Sequence, residues 1–84
     1  MIKIVRSKEQ VREALNSGSS AQRNVTAMYC CAILAATGHM SLDEVVAVSN
    51  LAYRDGVPTQ RVMSLYDLTL EAIEQHNREL AGAK

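Results

Sequence analysis

The 84-residue chain contains no phenylalanine and no tryptophan, and only three tyrosines. Its core must therefore be aliphatic, built from Leu, Ile, Val, Met and Ala. Proline occurs once and glycine four times. The residues that punctuate sheets and loops are thus scarce, and abundant alanine favours helix. Formal net charge is zero, with nine Lys and Arg against nine Asp and Glu. That balance argues against a generic nucleic-acid coat, whose affinity comes from many phosphate contacts. No stretch reaches the eighteen or more apolar residues of a membrane span. The opening MIKIVRSKEQ lacks the apolar centre of a secretory leader, so the expected location is the cytoplasm. No Gly-rich phosphate loop or nucleophile turn is present. The acids, bases and nucleophiles lack partners at useful spacing. The expectation is a protein that is not an enzyme and needs no cofactor.

What is present points to a single helical domain over residues 1–84. An apolar fraction of 48% is ordinary for a folded globule and too high for disorder. A chain this short buries only about 60–65% of its unfolded surface, and partner chains commonly stabilise such domains. Charge is uneven. Residues 1–25 hold Lys3, Arg6, Lys8, Arg12 and Arg23 against Glu9 and Glu13, a net of +3. Residues 42–70 hold Arg54 and Arg61 against Asp43, Glu44, Asp55 and Asp67, a net of −2.

The spacing predicts an all-α fold, a compact bundle of about four helices behind a short N-terminal arm, MIKIV. Ser7 reads as an N-cap with Gln10 completing a capping box. The first helix then runs to about Ser17, with Val11, Ala14 and Leu15 inward. After SGSS a second helix spans about Ala21 to Thr37 and stops at Gly38. Ser41 and Glu44 form another capping box before a third helix, Leu42 to Arg54. Its expected buried stripe is Val45, Val46, Val48, Leu51 and Ala52. Pro58 opens the last helix, whose apolar positions are Val62, Met63, Leu65, Tyr66, Leu70, Ile73 and Leu80. Thr69 and His76 lie on the same stripe, and the closing AGAK is expected to fray.

The run NVTAMYCCAILAATGH, residues 24–39, holds both cysteines. Adjacent residues on a helix point about 100° apart, so the two thiols do not converge. A disulfide between neighbours would strain the peptide between them. Two Cys and two His at these positions lack the spacing of a zinc site, and no metal is expected. Buried free cysteine packs as a small hydrophobe, which is the expectation for Cys30 and Cys31. Replacing both with alanine should then leave function intact. His39 and His76 are expected to be structural or surface residues. The helix is apolar on nearly all faces, so other structure should surround it. Either it is the central helix of the domain, or it shares a core with another subunit.

The segment LAYRDGVPTQRVMSL, residues 51–65, carries the pattern of a helix-turn-helix. Ala52 and Gly56 have the spacing of the small residue and the turn glycine. Leu51, Val57, Val62 and Leu65 fall at the apolar offsets. Thr59, Gln60 and Arg61 would then be the base readers. Against this stand Asp55 at a normally apolar position, the local negative charge, and a last helix of about twenty residues. The same pattern describes any two helices joined by a tight glycine turn.

Size and helical layout together resemble the short antirepressors of lambdoid prophages. The resemblance covers the polar arm, NVTAMYCCAILAATGHMSLDEVV and GVPTQRVMSLYDLTLEAIEQ. It implies a non-enzymatic regulator that binds a phage repressor, loosens its hold on operator DNA and releases lytic genes. The partner would be a DNA-binding protein, with no direct DNA contact by this chain and no membrane. A homo-oligomer or stable hetero-complex is expected. Aromatic, Arg and Met side chains are enriched at interfaces, and the expected contact residues are Tyr53, Arg54, Arg61, Met63, Tyr66 and Leu70. For Met63, Tyr66 and Leu70 the folding core is the competing role.

Overall fold

A computed structural model describes residues 7–82 and shows an all-α bundle of four helices in the order α1 (Lys8–Ser17), α2 (Ser20–Ala36), α3 (Leu42–Arg54) and α4 (Thr59–Gly82). The expectations for the MIKIV arm and for the last two residues of AGAK lie outside the described residues.

Local side-chain chemistry sets the helix starts. The Ser7 side chain accepts from the Gln10 backbone N–H, and the Gln10 side chain accepts in return from the Ser7 N–H. Ser41 and Glu44 repeat this arrangement at α3. Ser19 caps α2 by accepting from the Gln22 N–H. Each cap satisfies donors that the first turn leaves without intrahelical partners. The end of α2 is a full Schellman closure. The Gly38 N–H donates to the Ala35 carbonyl, and the His39 N–H to the Leu34 carbonyl. Gly38 provides the required positive φ of 79°. Pro58 sits one residue before α4, its carbonyl accepting from the Val62 N–H.

Helix α2 is the hub, packing against both α3 and α4, while α1 lies on α4. Ala27, Cys30, Cys31 and Leu34 form its buried side. They meet Val48 of α3, Leu15 of α1, and Val62, Met63, Leu65 and Ala72 of α4 in one core. Thr69 is the one buried polar residue there, and its hydroxyl donates to the Leu65 carbonyl at 2.8 Å. Among the described residues no helix is long and apolar enough to cross a membrane.

The bundle is flattened, with Cα extents of 45 × 29 × 14 Å. Two helix layers with axes about 8–10 Å apart and Cα atoms about 2.3 Å from each axis account for the thin dimension, so a helix is covered on its inner side and open on its outer side. Val46 differs from the sequence expectation for this reason. Its spacing predicts a buried position, yet it is 49% exposed. Val48 of α3 is fully buried, Val45 and Ala52 are partly buried beside it, and Leu51 is partly buried as well. The contact of α3 with the bundle is narrower than five inward residues require. Leu80 is likewise exposed, because α4 outruns the helices that cover its first four turns.

Candidate functional site

The junction between α3 and α4 carries three exposed side chains of the expected contact set, Tyr53, Arg54 and Arg61. Asp55 caps α3, and both the Asp55 and Gly56 N–H groups donate to the Leu51 carbonyl. Gly56 takes a φ of 82°, a conformation that costs L-residues roughly 1–2 kcal/mol. The turn is held from α2 by Asn24. Its Nδ2 donates to the Ala52 carbonyl at 3.2 Å, and its Oδ1 accepts from the Val57 N–H at 2.8 Å. One side chain therefore satisfies a helix-end acceptor and a loop donor that neither α3 nor α4 can serve. Val57 is buried beneath the turn. Nothing in the local pattern around Asn24 marks this role, because both bonds span about thirty residues of chain.

The six expected contact residues divide between surface and core. Tyr53 is 92% exposed and Arg54 beside it is exposed. Arg61 is exposed on α4 and lines a shallow surface depression with Pro58, Gln60 and Ser64. Met63 is only 6% exposed and belongs to the core, which leaves it no surface to offer a partner. Tyr66 is partly buried against the same core, and Leu70 is partly buried as well. Arg61 and Leu70 stand about 180° apart around α4, so the fold does not bring all six to one face. Tyr53, Arg54 and Arg61 flank the α3–α4 turn. Met63, Tyr66 and Leu70 point elsewhere.

Leu42, absent from the sequence expectations, and Val46, expected inward, join the expected contact residue Tyr53 on the surface. Leu42, Val46 and Tyr53 fall at i, i+4 and i+11 on α3, on one face of the helix, and all are exposed. Ser49 occupies the remaining place on that face. The signal was present as a second apolar stripe on α3. Spacing alone does not tell which of the two stripes faces inward. On α4, Leu68 is exposed on the same side as Arg61 and Ser64, at i+7 and i+4.

Chemistry is poorly supplied. Cys30 and Cys31 are both free and buried. Burial pushes the Cys30 thiol above its ordinary value, opposed by a hydrogen bond with Thr69. Burial also raises Cys31, with the Cys30 neighbour adding to it and Arg61 opposing. A raised thiol pKa means less thiolate, the reactive form. The Tyr66 hydroxyl is raised too, by burial first and then by Cys30 and Asp67. His39 is a strut: its ring contacts the Thr37 hydroxyl at 2.9 Å and Gln75 Oε1 at 3.0 Å, tying the α2–α3 loop to α4. Among the described residues no group of three or more His, Cys, Asp or Glu is placed to hold a metal. The one ion pair among them, Lys8 to Asp67 at 2.7 Å, joins α1 to α4.

Compared with protein-family models, curated proteins and solved structures, the chain matches none.

Proposed function

We propose that the protein is a non-enzymatic regulator that acts by docking onto another protein, with antirepressor action as its most concrete form. The observation that carries this reading is the stripe Leu42, Val46 and Tyr53 on α3, exposed beside Arg54. An amphipathic helix with an apolar stripe left outside its own core suits the helix-in-groove mode of recognition. Tyr53 and Arg54 add the two side-chain types that most often anchor interfaces. In the antirepressor form the groove belongs to a DNA-binding repressor, and docking weakens its oligomer or its grip on the operator. The protein resides in the cytoplasm of a bacterial host in this reading.

The test is affinity capture from the native host with wild type and with Tyr53→Glu. Tyr53 is almost wholly exposed, so its replacement should alter stability by less than about 0.5 kcal/mol. Wild type should retain a stoichiometric DNA-binding protein that Tyr53→Glu loses. Adding wild type to that protein on its operator should release the DNA.

A second reading has its own observation. Gly56 supplies the positive φ, Val57, Val62 and Leu65 are buried, and Gln60, Arg61 and Ser64 are exposed on the first turns of α4. These are the inward and outward positions of a DNA-reading helix-turn-helix. A gel shift with salt titration separates the two readings. A sequence-specific, salt-sensitive complex lost in Arg61→Ala supports DNA binding; its absence removes this second reading.

A further inference from the structure

We infer that α2 carries a second, separate interface through which two copies of this chain pair antiparallel about a two-fold axis. The outer side of α2 has no charged residue from Asn24 through Gly38. Val25 is 56% exposed and Tyr29 69% exposed, and Ala32 and Ala36 are exposed in line with them. Their spacing of four, three and four residues keeps all of them on one seam, as in paired helices. Val25, Tyr29 and Ala32 with Met28 and Asn24 line an open apolar groove of about 400 Å³.

The order of sizes along the seam identifies the occupant. The two large side chains, Val25 and Tyr29, occupy its N-terminal half. The two small ones, Ala32 and Ala36, occupy its C-terminal half. In an antiparallel pair centred between Cys30 and Cys31, Tyr29 falls opposite Ala32 of the second copy and Val25 opposite its Ala36. Large then faces small at all four positions, which is how facing layers interdigitate without voids. A parallel pair sets Tyr29 against Tyr29 and leaves the alanines facing empty space. Absence of charge removes like-charge repulsion between identical faces, and the antiparallel helix dipoles attract. An isologous contact of this kind is the commonest form of soluble oligomer.

Area sets the strength. A standard interface takes about 800 Å² from each partner. The apolar seam runs from Val25 to Ala36, roughly 17 Å, shorter than α2 itself, with Gln22 beyond its N-terminal end. The dimer is therefore small and exchanges with monomer. It stands independently of the α3 docking surface, whose residues it does not use.

Light scattering over a concentration series tests this. Wild type should rise from the 9.2 kDa chain mass toward twice that value. Tyr29→Glu should stay at one chain mass with unchanged helical circular dichroism, while Tyr53→Glu should behave as wild type. Mass at one chain throughout, or a Tyr29→Glu protein that still doubles, overturns the inference. The register has its own readout, which also decides the case if Tyr29→Glu unfolds. Chains carrying Tyr29→Cys are mixed with chains carrying Ala32→Cys under mild oxidation. The buried native thiols stay out of the reaction, as wild type alone verifies. Mixed disulfides should exceed either self-pairing. Dominant self-pairing at position 29, or no crosslink at all, overturns the antiparallel seam.

Discussion

Asn24 is the side chain on which the α3–α4 junction depends most. It supplies both the donor for Ala52 and the acceptor for Val57, and it is partly buried. Asn24→Ala leaves two partly buried backbone groups unserved, at about 1–3 kcal/mol. For a domain of this size, each kcal/mol lowers the thermal midpoint by about 4–8 °C. The expected loss in a melting curve thus exceeds that of any exposed α3 substitution. The cysteines make the opposite kind of prediction. Both are inaccessible and their pKa values are raised by burial. A thiol reagent at neutral pH should leave the native protein unmodified and label both residues in denaturant. The linkage follows the direction of the shift. A folded-state pKa above the unfolded one favours the native state while the thiol is protonated. That stability is complete below the ordinary value of 9.0 and fades as pH rises through the folded value. Denaturant midpoints should fall in alkali, and less so in Cys30→Ala.

At the scale of elements, the ends were legible and the faces were not. Ser7 with Gln10 and Ser41 with Glu44 form capping boxes whose whole content is local, so spacing alone reveals them. Gly38 is legible for the same reason, as the closure it enables involves only its own helix. Which side of a helix is covered depends on neighbours tens of residues away. Val46 and Tyr29 have the residue types of a core, and only the flattened arrangement of helices leaves them outside. Met63 shows the converse. Methionine suits an interface as well as a core, and composition does not decide between them until α2 is seen packed on α4. The turn glycine between α3 and α4 offers a test at this scale. Gly56→Ala meets no atom closer than 3.8 Å, so its cost is backbone strain at positive φ, roughly 1–2 kcal/mol. The unfolding free energy should drop by that amount, seen as a lower denaturant midpoint without a change in slope.

For the whole molecule, two helix layers leave α2 and α3 each with an uncovered side, and each carries exposed apolar residues there. A radius of gyration of 13.3 Å compares with about 12 Å for a chain of this length packed to the usual density. Two apolar stripes, one on α2 and one on α3, lie on the surface. The α2 stripe matches a second copy of itself in size order, whereas the α3 stripe ends in an aromatic and an arginine that suit a different partner. The Lys8–Asp67 pair across α1 and α4 is about half exposed, and surface pairs are worth about 0–1 kcal/mol. Lys8→Ala should leave the assembly and the melting curve nearly unchanged.

The central claim is that the α3 stripe docks onto a protein. Affinity capture from the native host, run side by side with wild type and Tyr53→Glu, addresses it most directly. The account predicts a stoichiometric DNA-binding protein retained by wild type and lost by the variant, with both proteins equally folded. Equal retention by both, or no partner at near-native concentration, would contradict it.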